Sequence, residues 1–255
     1  MATALITGAS AGIGEEFAKQ LAADGYDLVL VARRADRLED LATRLRNDHG
    51  VEVLVLSADL SLPGTPHEIF ASTESARLTI DYLVNNAGMS GPHLLRDREW
   101  ADHEAFQRLM MTSVAEMCHL YLPGMQERAY GRVVNVASVI GLVTAPGGAN
   151  YGPAKAYVVR LSEELAMLAR PNGVHVTALC PGFTHTEFHD AGGPLAMKSR
   201  LPTQLWYSAS VVVNDGRRAV EAGKSVQVSG RLYRVMVPLL RLGAIRRIVA
   251  RWRSR

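Results

Sequence analysis

The sequence of 255 residues is 48% hydrophobic and 21% charged, with a formal net charge of +3. That length suffices for one buried core, and no apolar run reaches the roughly 18 residues that a membrane-spanning helix needs. Only two cysteines occur, Cys118 and Cys180, each inside an apolar segment, and no histidine spacing is backed by carboxylates, which argues against a disulfide framework and against any metal site.

The chain enters its first apolar run at Thr3 without the basic start and small-residue cleavage site of a secretion signal, so a cytoplasmic setting is expected. Strands are predicted at about 3–7, 27–31, 51–56, 80–84, 132–137, 174–179 and 225–228. Helices are predicted at 12–23, 35–48, 103–128, 150–170 and 208–222. Runs such as Leu28-Val29-Leu30-Val31 are apolar on both faces, which suits strands covered by helices on two sides. The alternation predicts an α/β fold: a doubly wound parallel sheet in a single domain, with right-handed crossovers.

Thr7-Gly8-Ala9-Ser10-Ala11-Gly12-Ile13-Gly14 joins the first strand to the first helix. A glycine leaving the strand permits a sharp turn, one at the helix start admits a pyrophosphate, and one inside the helix allows close packing on the sheet. The helix N-terminus then holds the anion through its unpaired N–H groups. The second strand ends Val31-Ala32-Arg33-Arg34, with no acid to bind ribose hydroxyls and two cations able to meet a 2′-phosphate, which favours NADP(H) over NAD(H). Asn85-Asn86-Ala87-Gly88 follows the fourth strand; an Asn there can tie neighbouring strand ends, and Gly88 permits close approach of a cofactor.

Tyr151 and Lys155 open the helix at 150–170 and share one face, four residues apart. An ammonium beside the phenol is expected to stabilise phenolate and lower a pKa that is ordinarily near 10, making Tyr151 a general acid in reduction and a base in oxidation. After the sixth strand, Pro181-Gly182 makes a turn, and residues 183–207 lack periodicity but carry Phe183, Phe188, Trp206 and Tyr207. Such a loop beyond a strand's carboxyl end is expected to be a substrate lid, with His185 and His189 flanking it.

Taken together, the glycine turn, Asn85–Gly88, Ser138 thirteen positions before Tyr151, and the Tyr-x3-Lys pair resemble the compact branch of the short-chain dehydrogenase/reductase family. The resemblance implies a Rossmann-like fold and NADP(H)-linked hydride transfer at an alcohol or carbonyl carbon of a small molecule. It implies Ser138, Tyr151 and Lys155 as catalytic residues. For the cofactor it implies Gly8, Ser10, Gly12, Ile13, Gly14, Arg33, Arg34, Asp59, Asn86, Ala87, Gly88, Tyr151, Lys155, Pro181, Gly182 and Thr186, with Thr184 as the second choice of threonine. It also implies a homodimer or homotetramer formed through the helices at 103–128 and 150–170. One position departs from the family: Met110 stands where many members carry an Asn that holds a proton-relay water. A thioether holds water poorly, so a catalytically weak NADP-binding sensor or a membrane-associated interaction protein is the alternative.

Residues 231–255 carry eight arginines and no acid, interleaved with apolar residues, while the rest of the chain is net acidic. The tail is therefore read as a basic amphipathic segment appended to a catalytic domain at 1–230, and nucleic-acid binding by the main body is not expected. It either lies on the inner face of an anionic membrane as a peripheral contact or docks against the body with its arginines in solvent. Pro238 and Gly243 are expected to interrupt it as a helix.

Overall fold

The computed structural model describes residues 2–144, 149–187 and 202–241. Among these, nine strands follow in chain order: β1 (Thr3–Thr7), β2 (Asp27–Ala32), β3 (Val53–Ser57), β4 (Ile80–Asn85), β5 (Gly131–Val136), β6 (Val174–Cys180), β7 (Phe183–Thr184), β8 (Trp206–Tyr207) and β9 (Val226–Val228). Seven of them build one sheet in the order β3-β2-β1-β4-β5-β6-β9, and β7 pairs with β8 alone. Every pairing in the large sheet is parallel. The helices are α1 (Gly12–Ala23), α2 (Ala35–His49), α3 (Thr65–Ser75), α4 (Trp100–Gln107), α5 (Ser113–Glu127), α6 (Tyr151–Ala169), α7 (Ala209–Glu221) and α8 (Arg231–Arg241).

Side chains of successive strand residues point to opposite faces, and both faces are apolar. Leu28 and Leu30 join the core packed beneath α1, α2 and α7, whereas Val29 and Val31 join the core beneath α3, α5 and α6. Between β1 and β4 the chain reverses the direction in which it adds strands, so the carboxyl ends of these two strands part and leave the crevice where α/β sheets bind ligands.

Three elements differ from the sequence expectation. α3 was not foreseen because Thr65-Pro66-His67-Glu68 and Ser72-Thr73-Glu74-Ser75 offer few large apolar residues; it is held instead by a buried stripe of Thr65, Pro66, Ile69 and Thr73. The long helix expected at 103–128 is broken by a π-helical turn at Arg108–Thr112, the form of helix defect that recurs at functional sites. α8 runs through Pro238 rather than stopping there. Proline forfeits one backbone hydrogen bond, and the burial of Tyr233 and Val237 against the body offsets that loss. Gly243 and the rest of 242–255 lie outside the described residues.

Candidate active site

Gly8 and Gly12 both adopt left-handed φ angles, +67° and +62°, which a side chain would strain. A Cβ on Gly14 would collide with the Gly8 carbonyl and the Asn86 amide, so the first turn of α1 presses directly on the β1–β4 junction. Asn86 fastens that junction: its Nδ2 donates to the carbonyls of Thr7 at 3.0 Å and Gly8 at 3.2 Å. The backbone N–H groups of Asn86 and Ala87 donate to Thr7 Oγ1 at 2.9 and 3.0 Å. α1 begins after Ala11 with no side-chain cap, so its first N–H groups are available to an anion over the turn. Ile13 packs against the core below. Gly88 approaches the side chain of Met110, whose Sδ would lie 3.2 Å from a Cβ there.

At the end of β2, Arg34 donates to Ser10 Oγ at 3.0 Å and to Glu187 at 3.0 Å. Arg37, one turn along α2, donates to both oxygens of the same carboxylate at 2.7 and 2.9 Å. Arg33 projects into solvent, 3.7 Å from Asp59. Burial works against ionisation of Asp59, but two hydrogen bonds from Ser61 and the nearby Arg33 hold its carboxyl below the usual range. Two guanidinium groups thus converge on one anion beside a glycine-walled turn, with Ser10 Oγ accepting from Arg34, an arrangement that fits an adenosine ribose phosphate and its pyrophosphate. Arg37 could have been found by helical spacing from Arg34. Glu187, 153 residues beyond Arg34, could not.

Ser138 leaves β5 as the cap of a short 3-10 turn at Val139–Gly141, and its hydroxyl donates to the Pro181 carbonyl at 3.4 Å. It also hydrogen-bonds the half-buried phenol of Tyr151. Lys155 is buried, donates to the Val136 carbonyl at 2.7 Å, and holds its Nζ 5.8 Å from the centre of the Tyr151 ring. The three side chains therefore meet at the carboxyl edge of β5. The expected lowering of the phenol pKa is not found in the cofactor-free chain: burial pushes Tyr151 up to about 12, opposed only by the bond from Ser138. Burial likewise brings Lys155 down to about 8, with Cys180 acting in the opposite direction. Desolvation prevails at Tyr151, and the Lys155 ammonium spends its shortest hydrogen bond on a backbone carbonyl instead of the phenol.

Two buried polar networks fix the helix that carries Tyr151, and neither was legible in the sequence. Asn85 Nδ2 donates to Asn135 Oδ1 at 2.8 Å, and Asn135 Nδ2 donates to Ser162 Oγ at 2.9 Å, tying β4, β5 and α6 together. Asn150 donates to Pro92 O at 2.9 Å and to His103 Nδ1 at 2.8 Å. Since the Asp97 carbonyl can only accept, His103 Nε2 donates to it at 2.9 Å, and Nδ1 accepts from Asn150. Met110 is buried in the π-helical turn, where its Sδ accepts the Met89 N–H at 3.4 Å.

Beyond β6, the Pro181 carbonyl receives the bonds from Ser138 and from the Val139 N–H. A Cβ on Gly182 would strike the ring of Tyr233, so this glycine is also demanded by packing against α8. Thr184 is buried with its hydroxyl turned to the Gly182 carbonyl at 3.1 Å, whereas Thr186 lies against Gly12 at the glycine turn. Of the two, Thr186 is placed to meet a cofactor. β7 and β8 pin the two ends of the expected lid, with Trp206 packed on Phe183 and stacked on His185 at 5.2 Å. Phe188, His189 and the remainder of 188–201 lie outside the described residues. No group of three potential metal-ligating side chains occurs among the described residues.

The chain matches the family model for short chain dehydrogenase over residues 2–193. It is 32% identical over 182 residues to the 7beta-hydroxysteroid dehydrogenase of Collinsella aerofaciens, covering 71% of this chain and 68% of that one. It is 29% identical over 253 residues to the very-long-chain 3-oxoacyl-CoA reductase of Rattus norvegicus, covering 98% and 76%. A solved short-chain dehydrogenase from Sphingobium yanoikuyae, in complex with NADPH, aligns with a TM-score of 0.81 at 32% identity over 100% of this chain and 94% of that chain.

Proposed function

The chain belongs to the short-chain dehydrogenase/reductase family, oxidoreductases of hydroxyl and carbonyl groups, and from that premise we propose that it uses NADP(H) to interconvert an apolar, lipid-like ketone and its alcohol. The observation that carries this reading is the half-buried Tyr151 phenol, hydrogen-bonded to Ser138 one helical turn before the buried Lys155. Bound nicotinamide supplies or takes the hydride. In reduction Tyr151 passes its proton to the carbonyl oxygen, which becomes the alcohol hydroxyl, and Ser138 donates a hydrogen bond to that oxygen. Lys155, held by Val136, lies beside the phenol and supports the phenolate that the transfer leaves. Gly8, Ser10, Gly12, Ile13, Gly14, Asn86, Ala87 and Gly88 would line the dinucleotide. Arg33, Arg34 and Asp59 would take its adenosine end, and Pro181, Gly182 and Thr186 its nicotinamide end.

The preference for NADP(H) is supported by the arginines at the end of β2 and by the absence of an acid there. An apolar substrate is supported by the aromatic pair of Phe183 and Trp206, and by relatives named for steroid and long-chain acyl substrates. Self-association through α5 and α6 is supported by Met167 and Leu168, which are 69% and 70% exposed on α6. No helix of the described residues is long and apolar enough to cross a membrane. A peripheral contact with an anionic bilayer is supported by α8, where Leu232, Val235, Met236 and Leu239 form an exposed stripe at helical spacing within a segment of eight arginines and no acid.

Oxidation of NADPH should be followed against ketones of graded chain length, with Tyr151→Phe as control. The native chain should turn over longer apolar ketones faster, and the variant should lose about 10²–10⁴-fold in rate while binding NADPH with unchanged affinity. Full turnover by the variant would sink the catalytic assignment. NADPH binding without turnover by the native chain would favour the sensor reading, which Met110 at the relay position supports.

A further inference from the structure

Glu187 reaches the arginines from the far side of the crevice. The segment after β6 crosses the glycine turn, with Thr186 against Gly12, and ends with the Glu187 carboxylate on Arg34 and Arg37. No other acid touches these two guanidinium groups among the described residues. A carboxylate holding two guanidinium groups is the nearest protein equivalent of a phosphate monoester in the same place.

Resting on the NADP(H) reading above, we infer that Glu187 is a built-in competitor of the cofactor's 2′-phosphate. It holds the arginines that would take the phosphate and sets how strongly the enzyme discriminates between NADP(H) and NAD(H). A phosphate carries close to two charges and three acceptor oxygens against one charge and two oxygens, so it displaces Glu187. A cofactor lacking that phosphate leaves the carboxylate in place. Glu187 is 53% exposed, so water and salt screen its ion pairs and the competition is mild rather than blocking. Three hydrogen bonds from the two arginines hold its carboxyl below the usual range.

The test compares full-length native protein, Glu187→Gln and Arg34→Ser by calorimetric titration with adenosine 2′,5′-bisphosphate and with 5′-AMP, probes that need no turnover. Glu187→Gln, an isosteric change at an exposed position, should bind the bisphosphate about two- to tenfold more tightly, with 5′-AMP unaffected. An unchanged or weakened bisphosphate affinity, or an equal gain for both probes, would overturn the competitor role. If native protein fails to distinguish the two probes and Arg34→Ser alters neither, the NADP(H) reading itself falls. If Arg34→Ser abolishes discrimination while Glu187→Gln leaves it untouched, only the competitor role falls.

Discussion

Tyr151 has to give up a proton in one direction and take one in the other, and its surroundings do not serve the two equally. With burial lifting the phenol to about 12, it is protonated throughout the neutral range and ready to act as an acid. Lys155, brought down to about 8, keeps its charge below that pH and sheds it above. Both groups are therefore in the form that carbonyl reduction needs below about pH 8, and reductive kcat/KM should be level there and decline as Lys155 deprotonates. Alcohol oxidation needs phenolate, so its kcat/KM should climb with pH over the same range. An oxidised, positively charged nicotinamide bound beside it would oppose burial and favour the phenolate. Profiles recorded in both directions check the assignment; a reductive rate that rises through neutrality would contradict it. The sequence made the Tyr–Lys pairing legible through helical spacing, but not the sign of the shift, because spacing carries no information about depth of burial.

At the level of elements, strands were the most legible part of the fold, since short Val- and Leu-rich runs that are apolar on both faces suit a parallel sheet covered on two sides. α3 escaped because its buried face is made of small and hydroxylated residues, and the β7–β8 pair because two-residue strands have no period to read. The glycine turn was legible because each glycine answers a local steric demand. Arg37 with Glu187, and Asn135 with Asn85 and Ser162, were not, because their partners are set by topology. The Asn135 bridge lends itself to a direct measurement. Asn135→Ala removes the 2.8 Å acceptor of the buried Asn85 amide, and should cost about 1–3 kcal/mol in urea unfolding. A loss below a few tenths would mean that Cys118 Sγ, 3.5 Å from the same amide, suffices as its acceptor.

Across the whole molecule, the division expected at residue 230 meets a helix that belongs to both parts. Tyr233 and Val237 are buried against the body, and Arg234 is bound to Asp215 and Val228, while Leu232, Val235 and Leu239 face outward. The bilayer contact is therefore best tested on the outward stripe alone. Full-length protein carrying Leu232→Ser, Val235→Ser and Leu239→Ser should lose co-sedimentation with phosphatidylserine-containing vesicles while retaining its unfolding midpoint, and neither protein should bind neutral vesicles. Equal sedimentation of native and variant protein would remove α8 from any role at a membrane.

The Tyr233 ring lies under Gly182, and its hydroxyl joins the Phe183 N–H at 3.2 Å to the Leu205 carbonyl at 3.0 Å. A nonsense or frameshift lesion just upstream of α8 would spare every motif from which the chemistry can be read, including the glycine turn, Ser138, Tyr151 and Lys155. It would nevertheless open a void beneath the turn that follows β6 and strip two backbone groups of their partner. Alleles truncated just before α8 are thus expected to yield protein that retains the dinucleotide crevice but has lost the footing of the wall opposite it.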